Sequence, residues 1–158
     1  PKASTLTPAR LSECPEHVDE LFLASDLLEV TPQADFVVTT IPHTPDSEGM
    51  FNAAYFKAMK NSAIFINIGR GMTTRLDDLN AALRNGEIAG AGLDVFEIEP
   101  LPTDHPLWDA PNTLITPHTA VAGAAYLDER RYAIIEDNVR RFIADEPLQN
   151  VVDKALWF

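Results

Sequence analysis

Three residue types along this sequence suit one kind of reaction. Arg70 stands between Gly69 and Gly71, His118 follows Pro117, and Glu97 and Glu99 lie in an acidic segment just after Asp94. A guanidinium presents a planar fork that holds a carboxylate by two parallel hydrogen bonds, and the flanking glycines let backbone approach a ligand closely. An imidazole exchanges a proton with a neighbouring carbonyl or hydroxyl oxygen, and a carboxylate such as Glu99 beside it stabilises the imidazolium. Together these groups would orient a 2-oxo or 2-hydroxy acid and protonate its oxygen as hydride adds to the adjacent carbon. No side chain supplies hydride, so this chemistry calls for a nicotinamide cofactor. Each residue alone has a simpler explanation: Arg70 as a turn residue, His118 as a loop histidine, Glu97 and Glu99 as a solvated acidic face, Asp94 as a turn or helix cap. What joins them is that each follows a strand.

Those strands are read from short β-branched, apolar runs with turn residues at their ends. Phe36-Val37-Val38-Thr39-Thr40-Ile41 stops at Pro42, Ala63-Ile64-Phe65-Ile66-Asn67-Ile68 stops at Gly69, residues 88–95 run into the acidic segment, and Thr113-Leu114-Ile115-Thr116 stops at Pro117. Each run reads as a buried strand. Helical stretches are predicted at 52–60, at 76–85 with Gly86 as the C-terminal stop, and at 123–144. Upstream, 17–24 reads as a further strand and 26–33 as a short helix. Strands alternating with helices predict a parallel α/β sheet, whose ligands gather beyond the carboxyl ends of the strands. Arginine, carboxylate and histidine then share one rim.

Composition narrows the function classes. The 158 residues are 46% hydrophobic and 23% charged, as in one folded domain. A formal charge of -12 argues against nucleic-acid and membrane-surface partners. No apolar run approaches the roughly 18 residues of a membrane span. One cysteine, Cys14, and four scattered histidines offer neither an internal disulfide nor metal-ligand spacing, so no metal is expected and a reducing compartment, the cytoplasm, is the expected location. The chain opens Pro1-Lys2-Ala3-Ser4 without Met, which is read as removal of residues or a start inside a longer protein.

The order of motifs resembles the D-isomer-specific 2-hydroxyacid dehydrogenase family, with glyoxylate/hydroxypyruvate reductase-like wording. The resemblance runs through Asn67-Ile68-Gly69-Arg70-Gly71, Gly90-Ala91-Gly92-Leu93-Asp94-Val95-Phe96-Glu97-Ile98-Glu99-Pro100-Leu101-Pro102, His105-Pro106-Leu107-Trp108 and Thr116-Pro117-His118, with spacing kept over about residues 26–155. It implies a doubly wound, Rossmann-like parallel sheet that binds NAD or NADP. It also implies a small 2-oxo or 2-hydroxy acid as substrate, with Arg70 on its carboxylate, His118 as acid/base and Glu99 as the histidine's partner. Ile41, Pro42, Ile68, Gly69, Arg70, Asp94, His118, Thr119, Ala120 and Val121 would line the cofactor cleft, with Asp94 at the nicotinamide end and Glu97 as a decoy. A homodimer is implied for the full-length protein.

Departures from the family pattern matter as much. No Gly-x-Gly-x-x-Gly occurs, so the sheet is expected to be incomplete, lacking the first strands and the pyrophosphate loop. Residues 1–145 are read as part of the NAD(P)-binding domain, and 146–158 as an apolar tail returning towards a substrate domain not included here. Thr73-Thr74-Arg75-Leu76 replaces the Val-Asp-Glu wording common after the Gly-Arg-Gly turn, and Gly123 stands where Ser or Thr is frequent. Glu99 argues against formate-type chemistry, which would place an amide there. Two alternatives stay open: a cofactor-sensing, corepressor-like binding protein on the same frame, and a fragment inactive by itself.

Overall fold

A computed structural model of the chain describes residues 18–120 and 125–155. Among them, β1 (Phe36–Thr39), β2 (Ile64–Asn67), β3 (Gly90–Leu93) and β4 (Thr113–Ile115) form one parallel sheet in the order β1-β2-β3-β4. Helix α1 (Leu27–Val30) precedes the sheet, α2 (Ala53–Ala58) joins β1 to β2, α3 (Leu76–Arg84) joins β2 to β3, and α4 (Ala125–Ile143) follows β4. This is the α/β, Rossmann-like sheet expected. Its strands are shorter than the apolar runs because residues after Thr39, Asn67 and Leu93 leave the ladder to build the loops at the carboxyl rim.

Local chemistry accounts for the helix ends. Asn52 starts α2 by accepting hydrogen bonds from the backbone N–H groups of Ala54 and Tyr55 at 3.1 and 3.3 Å. Gly86 ends α3 as predicted, with φ +68, a left-handed conformation that strains other residues. The N–H groups of Gly86 and Glu87 there return to the carbonyls of Leu83 and Ala82. Asp77 and Asp78 lie in the first turn of α3 and Arg84 in its last, each complementing the helix dipole.

Helices α2 and α3 pack on one face of the sheet. Phe65 from β2 and Leu93 from β3 point to this side, where they meet Phe56, Leu79, Leu83 and Leu107 in a buried core. Phe51, Tyr55, Phe56 and Phe65 make edge and tilted ring contacts, which fix α2 over the middle of the sheet. Thr39 Oγ1 is buried on β1 with no hydrogen-bond partner among the described residues.

Two expectations need correction. β1 and β4 are not buried on both faces: Phe36 is 64% and Leu114 69% exposed, because among the described residues the connections pack on the other side. The strand predicted at 17–24 is not found over its described part, which is irregular up to a 3-10 turn at Ala24–Asp26. There the Asp19-Glu20 pair interrupts the apolar run, and Leu21, Phe22 and Leu23 stay 38–46% exposed. The predicted helix at 26–33 is a composite, α1 followed by a 3-10 turn at Thr31–Gln33 that carries Pro32. α4 forms as predicted, with Tyr132, Ile135, Val139 and Phe142 exposed along it.

Candidate active site

The loop after β2 carries Arg70. Gly69 fits there because a Cβ at that position would come within 2.9 Å of the Ile41 carbonyl oxygen, so the β1 and β2 loops touch backbone to backbone. Gly71 is tighter still: a Cβ would fall 1.9 Å from the Phe96 carbonyl oxygen, which presses this loop against the segment leading to Glu99. Arg70 is exposed, and its Nη1 donates to the Gly69 carbonyl at 2.8 Å. Beneath it, the fully buried Asn67 accepts from the Gly69 N–H at 3.0 Å and donates to the Thr74 hydroxyl at 2.9 Å.

The loop after β4 carries His118, whose φ of +52 is uncommon for a residue with a side chain. Asp94, at the end of β3 and 4% exposed, holds that conformation from both sides. Its Oδ1 accepts from the Thr116 hydroxyl at 2.6 Å and the Thr119 N–H at 2.8 Å, and its Oδ2 accepts from the Ala120 N–H at 2.8 Å. Burial pushes the Asp94 carboxyl up, but these bonds and the His118 charge outweigh it and leave the group below its ordinary value.

Glu99 and His118 meet, with 2.7 Å between Glu99 Oε2 and His118 Nδ1. Glu99 Oε1 accepts the Phe96 N–H at 2.9 Å, which fixes the carboxylate from behind. Desolvation works to raise the Glu99 carboxyl. The hydrogen bonds from His118 and Phe96, with the charges of His118 and Arg70, prevail and lower it. Arg70 is therefore close enough for its field to reach the Glu99–His118 pair. Phe96, Leu101, Trp108, Ile115 and Pro117 wall an open recess of about 580 Å³ beside that pair. With Nδ1 engaged, Nε2 is the ring nitrogen left for a ligand.

Glu97, two residues before Glu99, is committed elsewhere. Its Oε2 accepts the Leu76 N–H at 2.7 Å, capping α3 in place of a local side chain, and its Oε1 meets Arg75 at 3.2 Å. Both of its oxygens are thus engaged at the start of α3, away from the Glu99–His118 pair.

Ile41 is half-buried and Pro42 exposed at the end of β1, and Ile68 is 45% exposed at the end of β2, beside buried Gly69. Thr119 and Ala120 are exposed after β4, with their N–H groups held by Asp94. This apolar rim over closely packed loops suits a flat group such as the nicotinamide end of a dinucleotide, and the sequence holds no Gly-x-Gly-x-x-Gly run for a pyrophosphate. Val121 lies outside the described residues. No group of three or more His, Cys, Asp or Glu suited to a metal occurs among the described residues, and no described helix is long and apolar enough to cross a membrane.

Sequence reasoning passed over Asn67, Thr116 and Ser47. Ser47 is buried, and its hydroxyl donates to the Pro42 carbonyl at 2.8 Å, holding the β1 loop. The Thr44-Pro45-Asp46-Ser47 wording carried that signal as a hydroxyl-capped turn. Asn67 was visible only as a polar residue inside an apolar run.

Residues 7–120 match the family described as D-isomer specific 2-hydroxyacid dehydrogenase, NAD binding domain. The chain is 49% identical over 94 residues to the glyoxylate reductase/hydroxypyruvate reductase of Homo sapiens, covering 60% of this chain and 29% of that one. It is 45% identical over 129 residues to glyoxylate/hydroxypyruvate reductase B of Citrobacter koseri, covering 82% and 38%. Among solved structures, the NADPH-dependent glyoxylate/hydroxypyruvate reductase of Sinorhizobium meliloti, in complex with NADP and sulfate, superposes with a TM-score of 0.79 at 34% identity, covering 92% of this chain and 47% of that one. The chain thus spans less than half the length of each of these relatives.

Proposed function

Because this chain belongs to the D-isomer specific 2-hydroxyacid dehydrogenase family, matching its NAD-binding domain over residues 7–120, we propose that it supplies the cofactor-side half of a 2-oxoacid reductase site. The observation that carries this reading is the 2.7 Å Glu99–His118 pair on the rim that also bears Arg70. In this reading Arg70 binds the substrate carboxylate and so fixes which atom lies next to His118. His118 delivers the proton from Nε2 to the C2 oxygen during reduction and takes it back during oxidation. Glu99, held ionised by its own lowered pKa, balances the imidazolium before the proton leaves.

NAD or NADP is held along Ile41, Pro42, Ile68, Gly69, Asp94, Thr119, Ala120 and Val121, and when bound its nicotinamide supplies or accepts the hydride. Asp94 keeps the His118–Ala120 segment against that cleft through both of its oxygens. Residues 1–145 belong to the cofactor domain in this reading. Residues 146–158 form a tail whose exposed Leu148, Val151 and Val152 suit a return to a substrate domain. Glyoxylate and hydroxypyruvate are the first substrates to try, given what the named relatives reduce, with a homodimer in the cytoplasm as the working assembly.

The test is NADH and NADPH oxidation by the complete protein with a panel of 2-oxo acids. Turnover with glyoxylate or hydroxypyruvate is expected. Tight nucleotide binding with no turnover on any 2-oxo acid would replace this reading with the corepressor-like one.

A further inference from the structure

We propose that Asn67 is a positioning residue for Arg70, acting with the Thr73 and Thr74 hydroxyls, and that this three-residue knot sets the affinity of the site for the substrate carboxylate. The proposal rests on the reading of Arg70 as the carboxylate-binding group.

Asn67 occupies a core-facing position on β2, one pleat after the fully buried Phe65, where an apolar side chain packs without difficulty. An amide there is costly unless its polar atoms are engaged. They are. Oδ1 accepts from the Gly69 N–H at 3.0 Å, while Nδ2 lies 2.9 Å from Thr74 Oγ1, 3.2 Å from the Arg70 carbonyl and 3.3 Å from Thr73 Oγ1. The Thr73 hydroxyl in turn donates to the Arg70 carbonyl at 2.7 Å. One side chain therefore ties both ends of the Gly69-Arg70 dipeptide, and the guanidinium folds onto the carbonyl in its middle at 2.8 Å.

Both threonines are fully buried, so their hydroxyls face only this knot and the backbone around it. They belong to the Thr73-Thr74-Arg75-Leu76 run that follows the Gly-Arg-Gly turn, and so supply the acceptors that Asn67 uses from within the same loop. Neither threonine reaches the exposed guanidinium, so the knot acts on the ligand through loop geometry. A fork held in place before binding loses less freedom when a carboxylate arrives, which appears as affinity.

The experiment uses the complete protein with NADPH bound and oxalate as an unreactive dicarboxylate probe, titrated calorimetrically, alongside glyoxylate kinetics. Thr74→Val keeps the shape and removes the acceptor. It is expected to weaken oxalate about fivefold and to raise the KM for glyoxylate equally, with kcat within about twofold and NADPH affinity unchanged. Thr74→Ser, which restores the hydroxyl, is expected to recover the parent values. Asn67→Asp, where it folds by circular dichroism, should have the larger effect of the same kind. Parent-like oxalate binding by Thr74→Val overturns the proposal, as does an equal loss of oxalate and NADPH affinity, which would report general damage. If Arg70→Lys also leaves oxalate affinity unchanged, the carboxylate-binding role of Arg70 falls as well, so the two failures are distinguishable.

Discussion

The loops carrying Arg70 and His118 face the same rim but are held by opposite means. The arginine loop is fastened by the neutral amide of Asn67 and by two glycines in backbone contact with neighbouring loops. The histidine loop is fastened by a buried charge, the Asp94 carboxylate, bonded to Thr116, Thr119 and Ala120 around a residue in a left-handed conformation. The difference follows from what each loop presents. A charged guanidinium needs only a firm base, and a neutral anchor gives one at any pH. An imidazole that gains and loses a proton gains from fixed negative charge nearby, which Asp94 and Glu99 both provide. The contrast predicts that the histidine loop fails first as pH falls, while the arginine loop does not respond.

The largest expected effect tests the histidine loop directly. In the complete protein His118→Ala should lower kcat by about 10²–10⁴-fold with NADPH affinity little changed, measured by steady-state kinetics and fluorescence titration. Activity within about tenfold of the parent would remove His118 from the role given to it.

Asp94→Asn should be next. One oxygen becomes an amide nitrogen that faces N–H donors, so unfolding measurements should show a loss of about 2 kcal/mol. The linkage sign is definite. The Asp94 carboxyl is lowered in the folded state, so its stabilisation is complete above the unfolded aspartate value and is lost as pH falls through the lower folded value. The parent should therefore lose more stability than the Asn variant over that acid window, and parallel curves would contradict the clamp.

Glu99→Gln sharpens the comparison without breaking the loop. With the carboxylate gone, the negative charge facing the ring is lost, so kcat for reduction should fall about tenfold with NADPH affinity little changed. An unchanged kcat would show that the 2.7 Å contact does not govern proton transfer. Thr39→Val, which touches neither His118 nor Glu99 and changes only a side chain on β1, should do least. It removes the buried hydroxyl that lacks a partner among the described residues, and should leave stability unchanged or raise it by up to about 1 kcal/mol in thermal unfolding.

Glu97 and Glu99 show how far the sequence carries the argument. Both follow β3, both are acidic, and neither spacing nor composition separates them; the resemblance chose Glu99. In the structure the choice has a physical cause, because Glu97 is consumed by the open N-terminus of α3 and Arg75. The edge strands show the opposite limit. Phe36 and Leu114 look like core in the sequence, yet burial depends on what packs across a face, and runs of apolar residues do not say which face that is.

The sequence by itself determined the four sheet strands, the three helices that follow β1, β2 and β4, the Gly86 stop, and the order in which Arg70, Asp94, Glu99 and His118 follow the strands. These follow from local rules: side-chain periodicity, turn residues and the convergence of parallel strand ends. Only the tertiary structure decided who holds whom. Asp94 meets Ala120 across 26 residues, and Glu99 meets His118 across 19. Those pairings depend on distances set by the whole sheet, and no local pattern records them.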